Sequence, residues 1–351
     1  MRQAVSWMSL CVSVYACFSA SAFASSCSPD GIAGRTIVVD PTEHPLIGTM
    51  QYAETLPLAD HEVVLTFDDG PSPRYTDRVL GALADACVKA TFFMVGEMAK
   101  TFPAEAEKVW SEGHTIGTHS FAHPFTFGHM TEAAAGEEID RGIDAVGHAL
   151  DDPARLAPFF RVPGFLTSKA TEAALAARGL MTWSADFPAD DWLGISSAEI
   201  VRRALSRIEA RGRGVLLLHD IHGRTAVALP EILRELGARG FKIVHVVAAS
   251  PTLAKTVTDP SQWRPFGQVH PTAVAALQPD AAGVTDPHQA DEHPAASGSA
   301  NPAQRTATIG HHGRAKPKRV AGSRRAKPRK DARRHRPGPH HADRSRGTAL
   351  R

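Results

Sequence analysis

Seven short apolar runs recur between residues 60 and 250, and they constrain the fold more than any other feature of the chain. They are Val63–Phe67, Thr91–Val95, Thr115–Thr118, Phe159–Val162, Met181–Ala185, Val215–Leu218 and Ile243–Val247. The stretches between them are long enough for helices. One such stretch opens on the capping-box sequence Ser196-Ser197-Ala198-Glu199 and carries Ile200, Ala204, Leu205 and Ile208 at helical spacing. Arg211-Gly212 closes it. Strands that alternate with helices pair in parallel, because each crossover returns the chain to the same end of the sheet. Seven such strands fit a distorted (β/α) barrel covered by helices, and the span is enough for one barrel core. In barrels of this kind the functional groups gather at the C-terminal ends of the strands.

The first run leads into chemistry. Val63-Val64-Leu65 continues into Thr66-Phe67-Asp68-Asp69-Gly70, and Gly70-Pro71 ends the run. Neighbouring residues of a strand point to opposite sides, so one of the two acids can bind a metal while the other stays free as a base. Fifty residues beyond Asp69 stands His119-Ser120-Phe121-Ala122-His123. The i,i+4 spacing places its two imidazoles on one side of a helical turn. One carboxylate, two imidazoles and an open position describe a catalytic zinc-type site.

With three further motifs in order, the chain resembles the polysaccharide deacetylase family, which shares the chitooligosaccharide-deacetylase homology domain (carbohydrate esterase family 4). The further motifs are Arg161-Val162-Pro163, the stretch from Asp186 to Asp191-Trp192, and Leu216-Leu217-Leu218-His219-Asp220. Two departures stand out. Gly164-Phe165 follows Pro163 where the family usually has an aromatic residue at once, and the spacer before Asp191-Trp192 is long. The resemblance covers residues 60–250 and also implies a barrel. It implies a hydrolase acting on carbon–nitrogen bonds, which removes N-acetyl groups from a glycan. Asp69, His119 and His123 would hold a divalent metal, Zn2+ first, with Co2+, Ni2+ or Mn2+ suiting the same donors. Asp68 would be the base and His219 the acid, with Arg161 on Asp68 and Asp191, or else Asp186, on His219. Gly164 would offer an oxyanion N–H, and Leu217 and Trp192 would wall the acetyl pocket. An O-acetyl esterase acting on xylan or another glycan, and a silent glycan-binding surface protein, are the other readings. The full set Asp68, Asp69, His119, His123 and His219 favours the enzyme.

The ends of the chain speak to location. Arg2 is followed by an uncharged stretch to Pro29, apolar from Val5 to Phe18, with a small-x-small site at Ala22-Phe23-Ala24. That is the pattern of a signal peptide over residues 1–24, followed by an N-terminal arm (25–59) and the catalytic domain (60–250). A secreted or periplasmic protein follows, with no second spanning segment after the signal. Cys27 and Cys87 would remain, either as a disulfide tying the arm to the first helix or as two thiols. Residues 311–351 carry a net charge of +13 and the remainder −11. From residue 265 the sequence is rich in Ala, Pro, His and Arg, and it reads as a disordered basic tail. Such a tail is drawn to anionic cell-envelope polymers rather than to any specific nucleic acid.

Overall fold

A computed structural model describes residues 31–265. The predicted signal peptide, Cys27 and nearly all of the basic tail lie outside the described residues. The strands are β1 (Ala33–Val39), β2 (Leu46–Ile47), β3 (Glu62–Asp68), β4 (Thr91–Met94), β5 (Thr115–Thr118), β6 (Phe159–Phe160), β7 (Met181–Trp183), β8 (Phe187–Pro188), β9 (Gly214–His219) and β10 (Lys242–Ala248). The helices are α1 (Pro73–Asp85), α2 (Gly96–Thr101), α3 (Pro103–Ser111), α4 (Glu132–Ala149), α5 (Lys169–Ala176), α6 (Ser197–Arg211) and α7 (Gly223–Ala238).

All strand pairs are parallel. From β3 the pairing runs through β4, β5 and β6 to β7, and on the other side of β3 through β9 to β8. One stretch of chain, from Met181 to Pro188, supplies both β7 and β8, so its first part binds β6 and its last part binds β9. The circuit therefore closes as a distorted barrel. All seven sequence runs form strands. The sheet also begins earlier than the sequence reading had it. β1, in the expected arm, pairs with β10, and β10 pairs with the start of β3.

Alternation along the strands sorts side chains between two cores. Val63, Leu65 and Phe67 of β3 pack outward with Leu216 and Leu218 of β9 and with apolar residues of α1, α6 and α7. Val64, Val215, Phe93, Phe159 and Trp183 fill the barrel interior. By the same alternation Thr66 and Asp68 belong to the interior face of β3, and Leu217 and His219 to that of β9. Helix α6 keeps half of its expected capping box. Ser196 Oγ accepts from Glu199 N at 3.2 Å. The Glu199 carboxylate turns instead to Arg202 and Arg203, and Gly212 ends the helix in the left-handed region.

Candidate active site

The paired acids sit at the mouth of β3. Asp68 is its last residue, buried and turned inward, while Asp69 lies just past the strand with φ of 78°. The change of backbone conformation between them aims the two carboxylates differently. Arg161, fully buried, donates from Nη1 to Asp68 Oδ1 at 2.6 Å and to Thr66 Oγ1 at 2.8 Å. Its Nη2 donates to Ser184 O at 3.0 Å, and the guanidinium stacks 4.3 Å over the Phe93 ring. One oxygen of Asp68 is thus committed. The other, Oδ2, lies 3.8 Å from His119 Nε2.

The histidine pair is not on a helical turn, contrary to the spacing argument. His119 follows β5, and a loop with left-handed residues at Ser120 (φ 65°) and His123 (φ 52°) brings the second ring round. Beyond a strand end, a tight loop satisfies i,i+4 proximity as well as a helix does. Asp69 Oδ1 lies 3.5 Å from His119 Nε2 and 3.3 Å from His123 Nε2. The three donor atoms fall within 4.8 Å of one another.

Two observations fit this trio to a cation. Asp69 Oδ1 is buried and has no hydrogen-bond partner among the described residues, a costly state for a carboxylate oxygen unless something positive meets it. His119 Nδ1 donates to Arg161 O at 2.7 Å, which leaves its Nε2 lone pair facing the other donors. Burial holds His119 down at about 4, so its ring is neutral and free to ligate. Burial would raise Asp69, but the imidazoles of His123, His219 and His119 outweigh it and keep the carboxyl below its ordinary value.

His219 ends β9 opposite the acids, with Nε2 4.0 Å from Asp69 Oδ2. Asp191, fully buried, accepts from His219 Nδ1 at 2.8 Å, His219 N at 2.8 Å and Thr225 Oγ1 at 2.6 Å. Burial pulls the His219 ring down, yet the Asp191 charge and hydrogen bond, followed by Asp69 and Asp68, push it up to about 10. The long spacer before Asp191 has a use. Phe187 and Pro188 run as β8 beside Leu216 and Leu217, which brings Asp191 level with His219. Asp186, the other candidate partner of His219, serves a different end. Its carboxylate accepts from Thr49 N, Thr49 Oγ1, Thr55 Oγ1 and Val215 N at 2.6–2.9 Å, clipping residues 49–55 to β9.

The remaining candidates sit around the rim. Trp192, about a third exposed, stands edge-on to His219 with centroids 5.6 Å apart, and Leu217 is buried in β9. Gly164 is exposed in a left-handed turn, φ 56°, next to Leu166 and Phe125. Phe125 itself is half exposed and edge-on to His123 at 5.0 Å. Sequence reasoning passed over Phe125, Thr66 and Thr225. Thr66 lies inside the first motif, two residues before Asp68 on the same strand face, and that period could have found it. Thr225 offers no such signal. Cys87 lies just beyond α1 with φ of 56°. Its proposed partner Cys27 is outside the described residues.

The sequence profile described as polysaccharide deacetylase matches residues 56–183. A peptidoglycan-N-acetylglucosamine deacetylase of Bacillus cereus is 32% identical over 200 residues, which cover 55% of this chain and 70% of that protein. A chitooligosaccharide deacetylase of Azorhizobium caulinodans is 30% identical over 199 residues, 52% of this chain and 90% of that one. Among solved structures, a peptidoglycan deacetylase of Bdellovibrio bacteriovorus superposes with a TM-score of 0.56 at 33% identity, covering 65% of this chain and 64% of the other.

Proposed function

Since this chain belongs to the polysaccharide deacetylase family, we propose that it is an exported, metal-dependent hydrolase that removes N-acetyl groups from a glycan, peptidoglycan first. The observation that carries this reading is the combination at one barrel mouth of the unpartnered Asp69 Oδ1, a half-committed Asp68, and His219 backed by a buried carboxylate. The names of the relatives point to peptidoglycan and chitin oligomers as the substrate class.

Asp69, His119 and His123 would hold the metal. When bound, a divalent ion supplies Lewis acidity, polarising an acyl oxygen and easing the deprotonation of a water. The protein does the rest. Arg161 fixes Oδ1 of Asp68, so Oδ2 is the atom that takes the proton from the attacking water. The water oxygen bonds to the acetyl carbon as the carbonyl π pair moves onto its oxygen, and the carbon–nitrogen bond breaks when that pair returns. An amine leaves poorly as an anion, so His219 delivers a proton from Nε2 to the departing nitrogen. Asp191 holds Nδ1 and stabilises the charged ring before that transfer. Trp192 and Leu217 wall the acetyl methyl, and the Gly164 N–H faces the developing oxyanion. The products are acetate and a free amino sugar.

The test is acetate release from a panel of N-acetylated peptidoglycan, chitin oligomers and O-acetylated xylan, with Zn2+ supplied. Activity on peptidoglycan or chitin oligomers that falls at least a hundredfold in both Asp68→Asn and His219→Ala is expected. Release from xylan alone would replace the amidase reading with an esterase. No release from any member would leave a glycan-binding protein.

A further inference from the structure

The loop that carries His123 has no regular hydrogen-bond ladder, so its peptide groups must find partners elsewhere. They can be followed one by one. His119 N donates to Met94 O at 2.8 Å, tying the loop to β4. Ser120 O and Phe121 O accept from Gly96 N and Glu97 N, the first amides of α2, at 3.0 and 2.9 Å. His123 N donates to Ser120 Oγ at 3.0 Å. Two further amides, Phe121 N and Ala122 N, point together at α4. There a single atom, Glu138 Oε2, accepts both, at 3.2 and 3.0 Å.

Glu138 is itself mostly buried. Its Oε1 faces Arg141 Nη1 at 3.8 Å, and the Arg141 guanidinium lies 3.8 Å over the Phe121 ring. One turn of α4 thus grips the loop by two amides and one ring. The helix comes this close because residue 142 is glycine. A Cβ there would fall 2.7 Å from Ser120 C. The loop needs such a grip, since Ser120 and His123 both occupy the left-handed region, which non-glycine residues adopt at a cost.

From this accounting we infer that Glu138 is a positioning residue for the metal site, acting through the loop to hold His123 at its distance from His119 and Asp69. It touches neither substrate nor metal. What it sets is the geometry in which three donors meet one ion, and outer partners of this kind typically govern about 10–100-fold in metal affinity. The inference rests on the metal-binding reading given above.

The experiment measures Zn2+ affinity by competition with a chromophoric chelator, together with the Co2+ absorption spectrum and the thermal midpoint of each metal-free protein. Glu138→Gln keeps an oxygen acceptor of the same reach and should bind Zn2+ within about threefold of the wild type. Glu138→Met keeps volume and helix propensity without an acceptor, and should bind about 10–100-fold more weakly with an altered Co2+ spectrum. Glu138→Asp keeps the charge but stops one methylene short, and should follow the Met variant. It decides the matter if the Met variant fails to fold. Wild-type affinity in a folded Met or Asp variant overturns the inference, as does a Gln variant as weak as the Met variant. A wild-type protein that binds no Zn2+ instead strikes at the metal site itself.

Discussion

His114 gives a prediction that is independent of the active site. It precedes β5, is buried, and accepts a hydrogen bond at Nδ1 from Ala90 N at 3.1 Å. A protonated ring cannot accept there, and burial holds the group down at about 3. In the unfolded chain the same ring titrates near its ordinary 6.5. Between those two values the unfolded state binds a proton that the folded state refuses. The stabilisation is therefore complete above pH 6.5 and declines as pH falls through that window. At about 1.4 kcal/mol per pH unit, lowering pH from 7.5 to 5.0 should cost about 2 kcal/mol through His114 alone. His114→Asn places an amide oxygen where Nδ1 stood, so it keeps the acceptor and removes the titration. It also loses the edge contact with Phe92, a penalty that is the same at every pH. Urea unfolding followed by tryptophan fluorescence at both pH values gives the comparison. The wild type should lose about 2 kcal/mol more than the variant over this range. Other groups, including His245, which burial holds at about 4, titrate equally in both proteins and cancel. Equal losses in the two proteins, within about 0.5 kcal/mol, would refute the reasoning.

Three further outcomes are expected. Replacing Asp69, His119 or His123 should abolish metal binding and turnover together, whereas Asp68→Asn should keep the metal and lose turnover by about a hundredfold or more; metal content by atomic absorption beside acetate release separates them, and metal loss in Asp68→Asn would show the two acids to be assigned the wrong way round. Exported protein should begin near Ser25 with Cys27 joined to Cys87, so its intact mass should be lower by the signal peptide and should rise by two hydrogens on reduction. A mature chain that retains Val5–Phe18, or that carries two free thiols, contradicts this. Deleting residues 265–351 should leave turnover on a soluble oligomer unchanged while weakening adsorption to anionic envelopes, most at low salt, because the segment beyond residue 310 carries +13; unchanged adsorption would dismiss the electrostatic tether.

Strands were legible in the sequence where apolar runs were long enough to be buried on both faces, as in β3 and β9. The two-residue strands β2 and β8 carry no pattern of their own. They exist because neighbouring chain segments offer them partners, as Leu216 and Leu217 do for Phe187 and Pro188. Strand β1 was hidden for another reason: its first four residues are exposed, so Ala33–Thr36 reads as a polar arm. At the site, the residue types and their order placed Asp68, Asp69, His119, His123 and His219 at one mouth. The spacing of the histidines misled about backbone form, because left-handed residues at Ser120 and His123 are invisible to periodicity. Choosing between Asp186 and Asp191 needed coordinates. Both are buried acids in one motif, and only the route of β8 decides which one meets His219.

Arg161 joins two tasks in one residue. Its guanidinium grips the carboxylate of Asp68, while its own carbonyl accepts a hydrogen bond from His119 Nδ1. The proposed base and one proposed metal ligand are therefore yoked to the same short stretch of backbone. Neither can drift without tugging on the other. A substitution at 161 that removes the guanidinium releases Asp68, whereas the carbonyl that aims His119 belongs to the backbone and is kept by every residue. Recovery of activity would then demand a new donor for Asp68 within the same fixed frame. Such a coupling makes the pocket hard to retune by small steps, and new specificity is more easily sought at the rim, among Phe125, Leu166 and Trp192, than at its floor.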